Sequence, residues 1–81
     1  MDKQELVQRV SARLKKEPHK IEPVIDATLE EIYDSLGRGE SVTIRNFGTF
    51  YVRAERENWV FKFNPSQRLR KLFGWSSSYK G

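Results

Sequence analysis

Apolar positions recur along this chain first at helical and then at strand spacing. Leu6, Val7, Val10 and Leu14 fall on one side of a 3.6-residue repeat, which predicts an amphipathic helix over about residues 3–15. Asp2, with Glu5 three residues on, reads as its N-cap and the cap's reciprocal partner. The charged stretch Lys15-Lys16-Glu17-Pro18-His19-Lys20 breaks the pattern. A second stripe is formed by Val24, Ile25, Thr28, Leu29, Ile32 and Leu36, with Glu30, Glu31 and Asp34 turned away from it. Proline costs about 3 kcal/mol in a helix interior and disfavours helical geometry at the residue before it. The second helix is therefore predicted at about 23–37, opening near Pro23, with Pro18 to Glu22 as a turn or irregular lead-in. Gly37 and Gly39 supply its stop.

Beyond residue 40 the period drops to two. Val42 and Ile44, then Phe50 and Val52, alternate with polar neighbours and predict strands over about 41–45 and 49–55. Between them Asn46-Phe47-Gly48 combines two residues that tolerate positive φ with a bulky aromatic at the bend. Such a side chain is expected to reach back into a core. Arg56-Glu57-Asn58 reads as a short hairpin loop, and Trp59, Phe61 and Phe63 form the aromatic face of a third strand at about 59–63. Asn64-Pro65-Ser66-Gln67 resembles a helix start, with Asn64 as N-cap, Pro65 at the first helical position and Gln67 at the third. The helix is predicted at about 65–73, burying Leu69, Leu72 and Phe73. Gly74 would end it, with Trp75 folded back as a capping contact. The expectation is an α+β fold in one domain, residues 1–75: two helices, a three-stranded antiparallel meander and a short C-terminal helix. Residues 76–81 are expected to be a flexible tail.

Size changes what this fold must do. A chain of 81 residues buries only about 60–65% of its unfolded surface, so association is the ready source of further apolar burial. Without cysteine there is no disulfide, thiolate or Cys-based metal chemistry. No apolar run exceeds three residues, which excludes a membrane-spanning helix, and the start lacks a signal-peptide pattern. A cytosolic protein is expected. The net charge of +4 is unevenly placed: residues 1–40 carry seven Lys/Arg against nine Asp/Glu, whereas residues 41–81 carry eight against two. A basic second half points to a polyanion partner.

Catalytic chemistry is poorly supplied. His19 stands alone in a charged stretch, without a nucleophile or paired carboxylates. Gly37-Arg38-Gly39 lacks the remaining residues of a phosphate loop. No enzyme, metal or cofactor is expected. The cations Arg53, Arg56, Lys62, Arg68, Arg70 and Lys71 would share one surface if the hairpin and the last helix adjoin. Each phosphate contact would add roughly 0.9 to the slope of log affinity against log salt. No helix carries the polar side chains of a base-reading element, so contact should be largely independent of sequence. Tyr51 and Trp59 have two readings: stacking platforms for unpaired bases, or Trp59 in the core with Phe61 and Phe63 and Tyr51 covering the outer face.

These features together resemble the bacterial histone-like HU and integration host factor family. The resemblance lies in Asp2-Lys3-Gln4-Glu5-Leu6-Val7, in Gly39-Glu40-Ser41-Val42-Thr43-Ile44 followed by Asn46-Phe47-Gly48-Thr49-Phe50-Tyr51-Val52-Arg53, and in Phe63-Asn64-Pro65-Ser66-Gln67-Arg68-Leu69-Arg70. It implies an intertwined homodimer with Phe47, Phe50 and Phe63 in a shared core, and Arg53 and Arg70 facing DNA phosphates. It also implies a nucleoid-associated protein. Asn46 stands where the family usually has glycine, and Asn64 and Gln67 where it usually has lysine. The family's long basic β-arm with an intercalating proline has no counterpart here, because only residues 54–62 separate Arg53 from Phe63 and none is proline. Two functions remain open on the resemblance, and one more on the aromatic residues themselves. One is weak, sequence-independent DNA binding with little bending. The other is an interaction module that has lost most DNA binding, including a heterodimer with a full-length relative. Single-strand binding through the hairpin aromatics is a third.

Overall fold

The computed structural model describes residues 1–73. Its elements are α1 (Lys3–Leu14), α2 (Pro18–Gly37), β1 (Val42–Ile44), β2 (Gly48–Glu55), β3 (Asn58–Pro65) and α3 (Gln67–Leu72). The expected order of two helices, an antiparallel meander and a terminal helix is present. The chain divides into two compact units, Met1–Ile32 and Tyr33–Gly81, the division falling within α2.

In the first unit, α1 opens on Asp2, whose carboxylate accepts the Glu5 amide at 2.9 Å. The Glu5 carboxylate accepts from Arg9 at 2.7 Å, one turn on, instead of reaching back to the cap. Lys15 closes the helix in the left-handed region at φ 56°, ψ 44°. Its amide reaches the Ala12 carbonyl and the Lys16 amide the Ser11 carbonyl, the paired bonds of a Schellman end. Ser11, buried, also donates its hydroxyl to the Lys16 carbonyl. Val7 and Ile21 are the buried apolar residues of this unit, and Lys3 ties α1 to α2 by pairing with Asp26 at 2.9 Å and Glu22 at 3.4 Å.

The second helix departs from expectation. It starts at Pro18 and carries Pro23 inside it, so the lead-in expected over Pro18–Glu22 is helical. Pro18 takes the first helical position, which a proline fills without losing a bond, and the Lys20 amide returns to the Glu17 carbonyl at 2.9 Å. Pro23 is the sixth helical residue and removes one backbone bond. Burial of Ile21 in the preceding turn holds the helix through it. His19, expected in a loop, lies exposed in this first turn.

In the second unit, α2 ends in another Schellman pair, Glu40 amide to Ser35 carbonyl at 2.9 Å and Gly39 amide to Leu36 carbonyl at 3.0 Å, with Gly39 at φ 80°. The sheet order is β1-β2-β3, antiparallel throughout. The β1–β2 turn is closed by the Phe47 amide on the Ile44 carbonyl at 2.9 Å, with Asn46 at φ 67°. Register pairs Phe50 with Phe63, Val52 with Phe61 and Ala54 with Trp59, so these six share one face. Thr49, Tyr51, Arg53 and Glu55 lie on the other, opposite Asn64, Lys62, Val60 and Asn58.

The third helix is capped differently from expectation. Asn64 and Pro65 belong to β3, and Ser66 is the N-cap, its hydroxyl accepting the Leu69 amide at 3.2 Å. Pro65 ends an edge strand, where its missing N–H costs no ladder bond. Leu69 is half-buried, whereas Leu72 and Phe73, expected on the buried side, are 70% and 78% exposed in the single chain. Gly74, Trp75 and the tail lie outside the described residues.

Candidate nucleic-acid interface

The aromatic face forms first because β2 and β3 bring every second residue to it. Phe50 and Phe63 meet in a tilted pair with ring centroids 4.8 Å apart, and Phe47 folds back from the turn to within 5.7 Å of Phe63 and 6.2 Å of Phe50. Phe61 extends the row, 6.1 Å from Phe50. The three phenylalanines expected in a common core therefore meet, yet Phe47 stays 46% exposed. Trp59, expected either in that core or as a stacking platform, shares this face but is itself 71% exposed. A soluble chain rarely leaves so many neighbouring aromatics to water unless another surface covers them.

The opposite face is polar and cationic. Arg53 and Lys62 both project from it, with Tyr51 directly opposite Lys62. Thr43 and Thr49 share a hydroxyl hydrogen bond at 3.1 Å where β1 meets β2. The Arg70 guanidinium donates to the Asn64 side-chain carbonyl at 2.9 Å, so α3 places its half-buried arginine beside this same face. Sequence alone does not single out Asn64 as the link, because its place before Pro65 reads as a helix cap. Glu55 accepts from Arg53 Nε at 2.9 Å and from Nη2, and lies 3.8 Å from Lys62 Nζ. The hydrogen bond from Arg53 holds the Glu55 carboxyl below its ordinary range against a smaller opposing effect of desolvation, and the same bond raises Arg53.

The other cations lie elsewhere. Arg56 sits in the two-residue β2–β3 turn at φ 56°. Arg68 and Lys71 are exposed on α3 and border a shallow depression with Asn46, Phe47, Leu69 and Leu72. Of the six expected contacts, Arg53, Lys62 and Arg70 are thus gathered at one face, while Arg56, Arg68 and Lys71 are not linked to it by a hydrogen bond or ion pair. Tyr51 and Trp59 stand on opposite faces of the hairpin and form no common platform for unpaired bases. No group of three His, Cys, Asp or Glu side chains is placed to hold a metal among the described residues. No helix among them is long and apolar enough to cross a membrane.

The described residues thus make the small α+β class of fold whose antiparallel meander has one largely aromatic face and one largely polar, cationic face, followed by a short basic helix. The chain belongs to the family described as bacterial DNA-binding protein, whose model matches residues 1–68; it is the HU family of non-enzymatic architectural proteins, which bind DNA and form dimers. A point variant of HU from Thermotoga maritima is 33% identical, with a TM-score of 0.81, the match covering 90% of this chain and 99% of that one. HU from Thermotoga maritima itself is also 33% identical, with a TM-score of 0.78 and coverage of 90% and 98%. The HU of an Anabaena HU–DNA cocrystal has the same fold at 24% identity, with a TM-score of 0.81 and coverage of 90% and 97%.

Proposed function

We propose that this protein binds duplex DNA as an HU-like homodimer, through backbone phosphates and without sequence preference, and bends it little. The observation that carries the reading is the cationic sheet face, where Arg53 and Lys62 share one surface and Asn64 brings Arg70 to it. Arg56, Arg68 and Lys71 would serve as flanking contacts where DNA extends past the sheet. The dimer is supported by the partly exposed Phe47, Phe50, Phe61 and Phe63 row, which a second copy would cover.

Weak bending follows from the hairpin. A two-residue turn at Arg56-Glu57 closes β2 and β3 directly, leaving no arm to reach around a duplex and no proline to enter it. Proteins that kink DNA sharply do so by inserting apolar side chains between base steps. A nucleoid-associated, cytoplasmic setting accompanies this reading.

The test is titration of an end-labelled duplex of mixed sequence at low and at physiological salt. Three phosphate contacts per protomer, six per dimer, give a log–log salt slope of roughly −5. Binding should be measurable at low salt, change little with sequence, and alter end-to-end energy transfer only slightly. Absence of binding at both salt levels refutes the function, and a large energy-transfer change refutes the weak bending.

A further inference from the structure

The cationic face carries its own anion. Glu55 follows Arg53 by two residues on β2, so both side chains leave the same side of the strand, and Lys62 joins them from β3. One carboxylate oxygen, Glu55 Oε2, takes both Arg53 donors and is the atom nearest Lys62. Adjacent Nε and Nη groups on one edge of a guanidinium are the donors that arginine otherwise offers to a phosphate. Lys62 and Glu55 side chains are 28% and 38% exposed, whereas Arg53 is 58% exposed, so the cluster is open to solvent on its arginine side. Arg53 and Lys62 together bring two positive charges, and Glu55 reduces that to one.

We propose that Glu55 stands in the place of a DNA phosphate on this face, so that duplex must displace it to engage Arg53 and Lys62. Glu55 then sets the affinity of the interface without touching DNA itself. This inference rests on the reading of the sheet face as the DNA-contacting surface. Partly exposed ion pairs of this kind are exchanged at small net cost, so the carboxylate weakens binding without blocking it. A purely positioning role predicts the reverse: if Glu55 held Arg53 ready for phosphate, its removal would weaken binding.

The experiment compares the full-length protein with Glu55→Gln, Glu57→Gln and the double variant Arg53→Ala/Glu55→Gln on one mixed-sequence duplex across a salt series. Circular dichroism confirms that each is folded. Glu57 lies in the exposed turn, so its neutralisation makes the same net-charge change away from the cluster. Glu55→Gln is expected to bind roughly fivefold or more tightly at low salt, with a salt slope steeper by about 1 or more. Glu57→Gln should show less than half that gain in log affinity, and the double variant should lose most of it. Unchanged or weaker binding by Glu55→Gln, with wild type binding normally, overturns the inference and leaves the DNA reading standing. An equal gain from Glu57→Gln overturns it too, by reducing the effect to net charge. Binding by none of the four at low salt overturns both readings.

Discussion

Gly48 is the position where this fold has least room, and Gly48→Ala measures how much depends on it. The residue is buried at the start of β2, at φ 155°, a backbone setting that side chains other than hydrogen rarely accept. A Cβ there would stand 2.6 Å from the Asn64 carbonyl oxygen and 2.7 Å from two carbons of the Phe63 ring. Neither neighbour yields easily. The Asn64 carbonyl belongs to the backbone of β3, paired in register with Thr49, and the Phe63 ring is held between Phe47 and Phe50. Backbone strain of this kind costs about 1–3 kcal/mol, and forcing a methyl into a packed site costs a similar amount. The sum, about 2–6 kcal/mol, is a large part of the roughly 4–12 kcal/mol available to a chain of this size. Urea unfolding followed by circular dichroism, at one fixed protein concentration because dimerisation contributes to stability, reads the difference. A loss below about 0.5 kcal/mol with an unchanged m-value would refute the packing derived for this turn.

Three further outcomes are expected. Lys15→Gly should stabilise the fold by about 1 kcal/mol in the same unfolding assay, because Lys15 closes α1 in left-handed geometry that glycine adopts without steric cost. Phe47→Ala should shift sedimentation from dimer towards monomer and raise the dissociation constant at least roughly tenfold, equivalent to about 1.4 kcal/mol. The Glu55 and Glu40 carboxyls are held below their ordinary 4.5 by hydrogen bonds from Arg53 and Arg38, so their contribution is present above the unfolded pKa and lost as pH falls through the folded one. The stability difference between wild type and Glu55→Gln should therefore shrink on acidification from about pH 6 to about pH 3, and a difference that grows would contradict the assigned pairing.

Much of the fold was legible because its two apolar periods are clean. The change from 3.6 to 2 near residue 40 separates helices from sheet, and Asp2 and Gly39 mark ends that the structure uses as expected. Proline was the misleading signal. The penalty for Pro23 argued for a later helix start, but that rule treats each proline alone. Pro18 provides a cost-free opening, and Ile21, buried between the two prolines, rewards helical geometry across Pro23. Asn64-Pro65 misled in the opposite direction, since a good cap-and-proline pair is equally a good end to an edge strand. The Ser66 amide on the Phe47 carbonyl, a contact between distant residues, favours the second use.

The site was less legible than the fold, and a single residue explains why. Reading Arg56-Glu57-Asn58 as a three-residue loop would pair Glu55 with Trp59 and put Tyr51, Arg53 and the aromatics on one face. The actual two-residue turn pairs Glu55 with Asn58 and Ala54 with Trp59. A slip of one residue moves every side chain of β3 to the other side of the sheet. That slip separates a largely aromatic face from a largely polar one, sends Tyr51 and Trp59 apart, and brings Lys62 beside Arg53 and Glu55. Composition named the cations that could meet a phosphate; only register shows that a carboxylate already occupies two of them.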